Sequence, residues 1–215
     1  MLTVNARVQE VLQFCVGSTA INDSTTTPGG DCSNISGTSV DLGVVDTTTT
    51  GAVSPDADGN SFNGIAMVTS NAAGNTTIGY KSVQDSGTNQ KGALRVPAAA
   101  CNATANFYTD QCFESFTTET VPVSNTEMFG MTVRFVNRGS STGVPTTSLG
   151  TLNAAYDFSS SGYAWDTTGG LVNLATASGP TNDEALILKF SAVAAITTPT
   201  GSYQTQGDFI ATPTY

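Results

Sequence analysis

The chain has 215 residues, 11% of them charged and 39% hydrophobic, with a net charge of −10 and no histidine. Its seven basic residues, Arg7, Lys81, Lys91, Arg95, Arg134, Arg138 and Lys189, are scattered singly, so no basic patch meets nucleic-acid phosphates or an anionic membrane surface. The lack of histidine removes Ser-His-Asp and Cys-His machinery and His-bound metals, and no apolar run reaches the ~18 residues that span a bilayer.

The 35 threonines, 21 serines and 22 glycines favour strands and turns, while 10 phenylalanines and 6 tyrosines supply a core. In chain order, "LTVNARVQEVLQF" at 2–14 puts Leu2, Val4, Ala6, Val8, Leu12 and Phe14 on one face if extended, interrupted by Glu10. A helical alternative spaces Val4, Val8, Val11, Leu12 and Cys15 along one side; the β-branched start and turn-rich sequel favour the strand. Further strands are expected at 38–45, 63–70, 76–83, 93–97, 112–123, 127–137, 170–176 and 184–196, separated by Gly, Asn, Asp and Pro clusters. The clearest are Phe129, Met131, Val133 and Phe135, and Leu186, Leu188, Phe190, Ala192, Ala194 and Ile196, each strictly alternating. The last stretch, "TPTGSYQTQGDFIATPTY", alternates from Tyr203 and reads as a sheet member entered through the Pro199 to Gly201 turn. About ten short strands predict an all-β fold, an Ig-like or jelly-roll sandwich. The expected division is an N-terminal strand at 1–14 and a single sandwich domain at 15–215.

The four cysteines form two sequence-local pairs, Cys15 with Cys32 and Cys101 with Cys112, without the C-x-x-C spacing of zinc or redox sites. Three connectivities exist, and four free thiols are an alternative. The local pairing is favoured because each pair brackets a polar, turn-rich segment, and bridges of this kind imply an oxidising compartment. With bridges of this kind the expected location is the extracellular cell surface; no signal peptide or C-terminal anchor is legible, as expected of a mature or trimmed chain.

No constellation in the sequence predicts an enzyme, a cofactor or a metal. Glu10, Glu114, Glu119, Glu127 and Glu184 are the only glutamates, and solvated or capping roles outweigh paired-carboxylate catalysis. "DADGN" offers Asp56, Asp58 and Asn60 at alternate positions, but Ser61 and Met67 stand where an EF-hand needs Gly and Glu. Sequons at Asn22, Asn34, Asn75 and Asn102 offer glycosylation sites; with 15 asparagines and 56 serines and threonines, about four arise by chance. Tyr163 and Trp165 are two apart in "SSSGYAWDTTGG". They would form a sugar-binding platform for a glycan or host surface if exposed, or core packing if buried.

Four stretches, "TVNARVQEVLQFCV", "VDLGVV", "VTSNAAGNTTIGY" and the terminal strand with its Gly-x-Tyr, resemble secreted bacterial surface β-sandwich proteins of the spore-coat-U-like and fimbrial kind. The resemblance covers both ends and the first third. It implies an extracellular subunit that polymerises with copies of itself by lending a strand to its neighbour, with Leu2, Val4, Ala6, Val8, Leu12 and Phe14 as the donated face. The alternative from a different class is a monomeric secreted adhesin or carbohydrate-binding module.

Overall fold

The computed structural model describes residues 7–18, 32–47, 52–54, 63–83, 92–97, 99, 101, 111–136, 150–157 and 162–215. Among the described residues nine strands follow in order: β1 (Leu12–Gly17), β2 (Ala52–Val53), β3 (Gly64–Ser70), β4 (Asn75–Ser82), β5 (Met128–Val136), β6 (Thr151–Leu152), β7 (Val172–Ser178), β8 (Thr181–Val193) and β9 (Gly207–Pro213). They form a β-sandwich of two open antiparallel sheets, as the composition and alternation led us to expect.

In the first sheet β8 is the spine. β3 pairs with it from Thr181 to Leu188, β2 continues that side at Ser191 and Ala192, and β5 takes the other side from Ala185 to Val193. β1 pairs with β3 and ends the sheet. The second sheet runs β6-β7-β4-β9, with β9 at its end. The inward set of β8, including Leu186, Leu188 and Ala192, meets Ile78, Tyr80 and Leu174 of the other sheet in one core with Phe129, Met131 and Val133. The outward set of β8 is buried too: Ala185 and Ile187 pack with Ile65 and Met67 against Cys15, Cys32 and Ile35.

The two sheets share their poles. At one, Leu12 lies opposite Ser70, Ser70 opposite Thr181, and Thr76 opposite Pro213, and the 71–74 turn carries the chain from sheet to sheet. Here Asn71 N–H donates to the Val11 carbonyl and Gly74 N–H to the Thr214 carbonyl. At the other pole lie Gly17, Gly64 and Leu188 of the first sheet and Ser82 and Gly207 of the second.

Both local disulfides form, Cys15–Cys32 with Cα atoms 5.6 Å apart and Cys101–Cys112 with Cα atoms 5.9 Å apart, and no cysteine is free. The first ties β1 to a 3-10 turn at Cys32–Asn34, and the second packs with Ala93 and Ala99. Such bridges belong to an oxidising environment.

Three expected strands are corrected. Segment 38–45 forms no strand: Gly43 adopts φ +67°, its N–H is taken by the Asp41 carboxylate at 2.9 Å, and this turn breaks any ladder. Segments 93–97 and 112–123 make only isolated bridges, Arg95 to Cys112 and Gln204, Ser115 to Phe129, and Thr120 to Tyr163. The N-terminal strand begins at Leu12, and residues 7–11 are neither strand nor helix. Their departure has a local cause, because Asn71 takes the place of a partner strand: Val11 N–H donates to its Oδ1 and its Nδ2 donates to the Gln9 carbonyl. The Asp56, Asp58 and Asn60 loop lies outside the described residues.

Candidate functional site: a strapped cleft at one pole

The pole formed by Gly17, Gly64 and Gly207 carries a cavity of about 1120 Å³ between the sheets. Its floor is aromatic: Phe113, Phe129, Trp165, Phe190, Tyr203 and Phe209. Trp165 is the centre of that floor. Its ring stacks on Tyr80 with centroids 4.7 Å apart and meets Phe129 edge-on at 5.4 Å, and Nε1 donates to the Gly92 carbonyl at 2.6 Å. Tyr80 is fixed in turn, its hydroxyl accepting from Asp166 N–H at 2.8 Å and sharing a 2.9 Å hydrogen bond with the Tyr156 hydroxyl. Burial holds the Tyr80 hydroxyl well above the ordinary tyrosine range and pushes Tyr156 up to about 12.

Residues 37–47 close the mouth as a strap. Leu42 and Val45 pack against the core, while Val44 between them is 91% exposed. The Gly43 turn explains the switch, since it shifts the inward position from Val44 to Val45. Side chains hold the strap from both flanks: Ser18 Oγ donates to the Ser39 carbonyl at 2.7 Å and Ser124 Oγ to the Thr47 carbonyl at 3.0 Å.

The opposite rim is the 194–203 turn. The Ile196 N–H donates to Asn125 Oδ1 at 2.7 Å, and the Thr198 hydroxyl donates to Glu127 Oε2 at 2.5 Å. Glu127 Oε1 accepts from the Glu114 N–H. Burial first, and the Glu127 charge second, hold the Glu114 carboxyl above its usual range; the same two causes raise Tyr203. Both glutamates are among those weighed from the sequence, but their approach is set by the pairing of Ser115 with Phe129, which no local pattern reveals. Ile196 and Val123 stand exposed around the mouth, at 78% and 57%.

The expected site residues fall as follows. Tyr163 and Trp165 are both buried, at 7% and 1% exposure, so the exposed platform is not formed; Trp165 instead floors the cleft. Leu12 and Phe14 lie in β1, paired within the chain to Ser70 and Val68, with Phe14 against the main core. Val8 is 83% exposed, and Leu2, Val4 and Ala6 lie outside the described residues. Asn34 and Asn75 are exposed, Asn75 as the first residue of β4, while Asn22 and Asn102 lie outside the described residues. Among the described residues no three His, Cys, Asp or Glu side chains group as metal ligands, and no helix is long and apolar enough to cross a membrane. Comparison with family models, with curated proteins and with solved structures finds no match for this chain.

Proposed function

We propose that the protein is a structural subunit of an extracellular filament or surface coat, built by donation of the N-terminal segment of one copy to the next. The observation that carries this reading is the opposition of two features. Val8, Val11 and Leu12 are exposed apolar residues where the chain runs into β1 at the turn pole, and the aromatic-floored cleft opens at the other pole. A donor at one end and an acceptor at the other is a heterologous arrangement, which propagates as an open filament instead of closing. β1 and β9 each end their sheet, and an unpaired strand edge is where an added strand gains main-chain hydrogen bonds. With each copy at −10, the contact is mainly apolar and hydrogen-bonded, so its strength depends little on salt.

The experiment is electron microscopy of the purified chain beside a variant lacking residues 2–12 and the double variant Val4→Asp/Val8→Asp. Filaments from the parent and soluble, folded, less stable monomers from both variants are expected. Equal assembly by the deletion variant would make the N-terminus an ordinary first strand and leave the reading without a donor. A parent chain that stays monodisperse and scores on a glycan array would instead support a monomeric adhesin.

A further inference from the structure

We propose that the cleft between the sheets binds a small, largely hydrocarbon molecule that carries no negative charge. The proposal goes beyond filament assembly and concerns the single subunit, whichever way copies join.

The cleft has two apolar walls that the fold leaves partly uncovered. Phe190 of β8, Phe209 of β9 and Tyr203 of the 194–203 turn line it on one side, and Val40, Leu42 and Val45 line it from the strap. All six are half-buried, whereas Phe113, Phe129 and Trp165 in the same lining are buried. The core engages one side of each half-buried ring. Phe190 stacks on Phe129 with centroids 6.3 Å apart, Tyr203 meets Phe113 edge-on at 4.9 Å, and Phe209 tilts against Tyr80 at 6.0 Å. What is left of each ring is apolar surface in water, and an apolar guest would remove it. At about 1120 Å³ the cavity is large enough for a drug-sized ligand, whose sites run to roughly 1,000 Å³. The rings are held before a guest arrives, so little ordering remains to offset binding.

The polar groups of the lining are turned to the chain itself. The Tyr203 hydroxyl donates to the Pro199 carbonyl at 2.7 Å, Thr205 Oγ1 to the Gly92 carbonyl at 3.2 Å, and the Thr198 hydroxyl to Glu127. The Asp41 carboxylate accepts from Gly43 N–H, and Ser18 Oγ donates to the Ser39 carbonyl. A sugar ring would give up its water without gaining these groups as partners. Charge narrows the class further. Among the described residues that line the cleft the charged ones are Asp41 and Asp46, and neither Lys nor Arg stands there to pair an anion. An anionic guest would lose hydration and meet carboxylates.

The test uses the full chain and two probes that differ in one group: neutral N-phenyl-1-naphthylamine, and 8-anilino-1-naphthalenesulfonate, the same ring system with a sulfonate. Titration in about 1 M salt, where the Debye length falls to about 3 Å, removes long-range repulsion from the net charge of −10. Emission of the neutral probe should rise and saturate at one probe per chain, with quenching of Trp165, the single tryptophan. The sulfonate should bind at least about tenfold more weakly. Val40→Asp sets a carboxylate on the strap wall and should weaken the neutral probe about five-fold or more. Val121→Asp, at an exposed position that does not line the cleft, should leave it unchanged. In hydrogen exchange on the parent chain, the neutral probe should slow amides 40–47 and 203–207 several-fold and leave those of the 71–74 turn at the far pole unmoved. Absence of saturable binding, equal affinity for the two probes, or slowing at 71–74 in place of the cleft would overturn the assignment. If Val40→Asp fails to fold, the probe pair and the exchange map on the parent decide. Electron microscopy of the same parent is read separately, so the filament reading and this one can fail independently.

Discussion

Strand β8 and the strap at 37–47 both place alternate apolar side chains against the same core, yet they are held in different ways. β8 is paired along both edges, to β3 and β2 on one side and β5 on the other, and is buried on both faces. The strap has a single inward face; side-chain hydrogen bonds reach it at Ser39 and Thr47, and the Ser18 N–H donates to the Ser36 carbonyl just before it. Opening β8 would break two ladders and expose two apolar faces at once, so it belongs to the cooperative unit. Opening the strap would break no ladder of either sheet, which is what local opening requires.

The largest effect should follow damage where the two regions meet. Trp165→Ala removes the stacked partner of Tyr80 and leaves the Gly92 carbonyl without its indole donor. A loss of about 3–5 kcal/mol is expected in chemical denaturation. A loss under about 1 kcal/mol would mean that the cleft floor is not part of the cooperative core.

Next comes the edge of the laddered region. Cys15→Ser/Cys32→Ser opens a loop of 17 residues and frees β1 from the Cys32–Asn34 turn, at a cost of about 3 kcal/mol. Because Cys15 and Cys32 also cover Ile65, Met67 and Ile187, dye binding to newly exposed apolar surface should rise in this variant. Unchanged stability would show that the outer face of the first sheet is sealed without the bridge.

A smaller, pH-dependent effect reads the core directly. Tyr80 and Tyr156 hold their protons in the folded state above the pH at which unfolded tyrosines lose them, near 10. Their contribution is therefore whole below pH 10 and lost above it, at up to about 1.4 kcal/mol per pH unit for each tyrosine, ending for Tyr156 near 12. Tyr156→Phe should flatten the decline between pH 10 and 12 by one tyrosine. An unchanged slope would place the loss elsewhere.

The contrast also explains what the amino-acid pattern could reveal. β5, β8 and β9 are legible because alternation and an unbroken ladder coincide there, with Phe129, Leu186 and Phe209 all turned inward. In 38–45 the two separate: Leu42 is inward as its spacing predicts, but one left-handed glycine removes the strand and reverses Val44 and Val45. The start of β1 was misplaced for a similar reason, since Asn71, some 60 residues away in sequence, supplies the side-chain bonds that replace the ladder at Gln9 and Val11. The local cysteine pairing was legible from the turn-rich segments it brackets. The cleft was not, because Phe113, Trp165, Tyr203 and the strap are brought together only by the packing of the two sheets.

The smallest expected effect separates the two regions most sharply. Gly43 has φ +67° and open space where a Cβ would stand, so Gly43→Ala meets no clash and bears only the left-handed backbone cost of roughly 1 kcal/mol. If the strap opens independently of the sheets, that cost falls on the strap alone. Amides 40–47 should then exchange about five-fold faster, while global unfolding by denaturant shifts little and the slowest amides of β8 are unmoved. If the strap is instead part of the cooperative unit, the same substitution lowers global stability by the full amount and speeds exchange in β8 and the strap alike. The second pattern would place the strap in the cooperative unit, and Gly43→Ala tests this without touching any residue of the core.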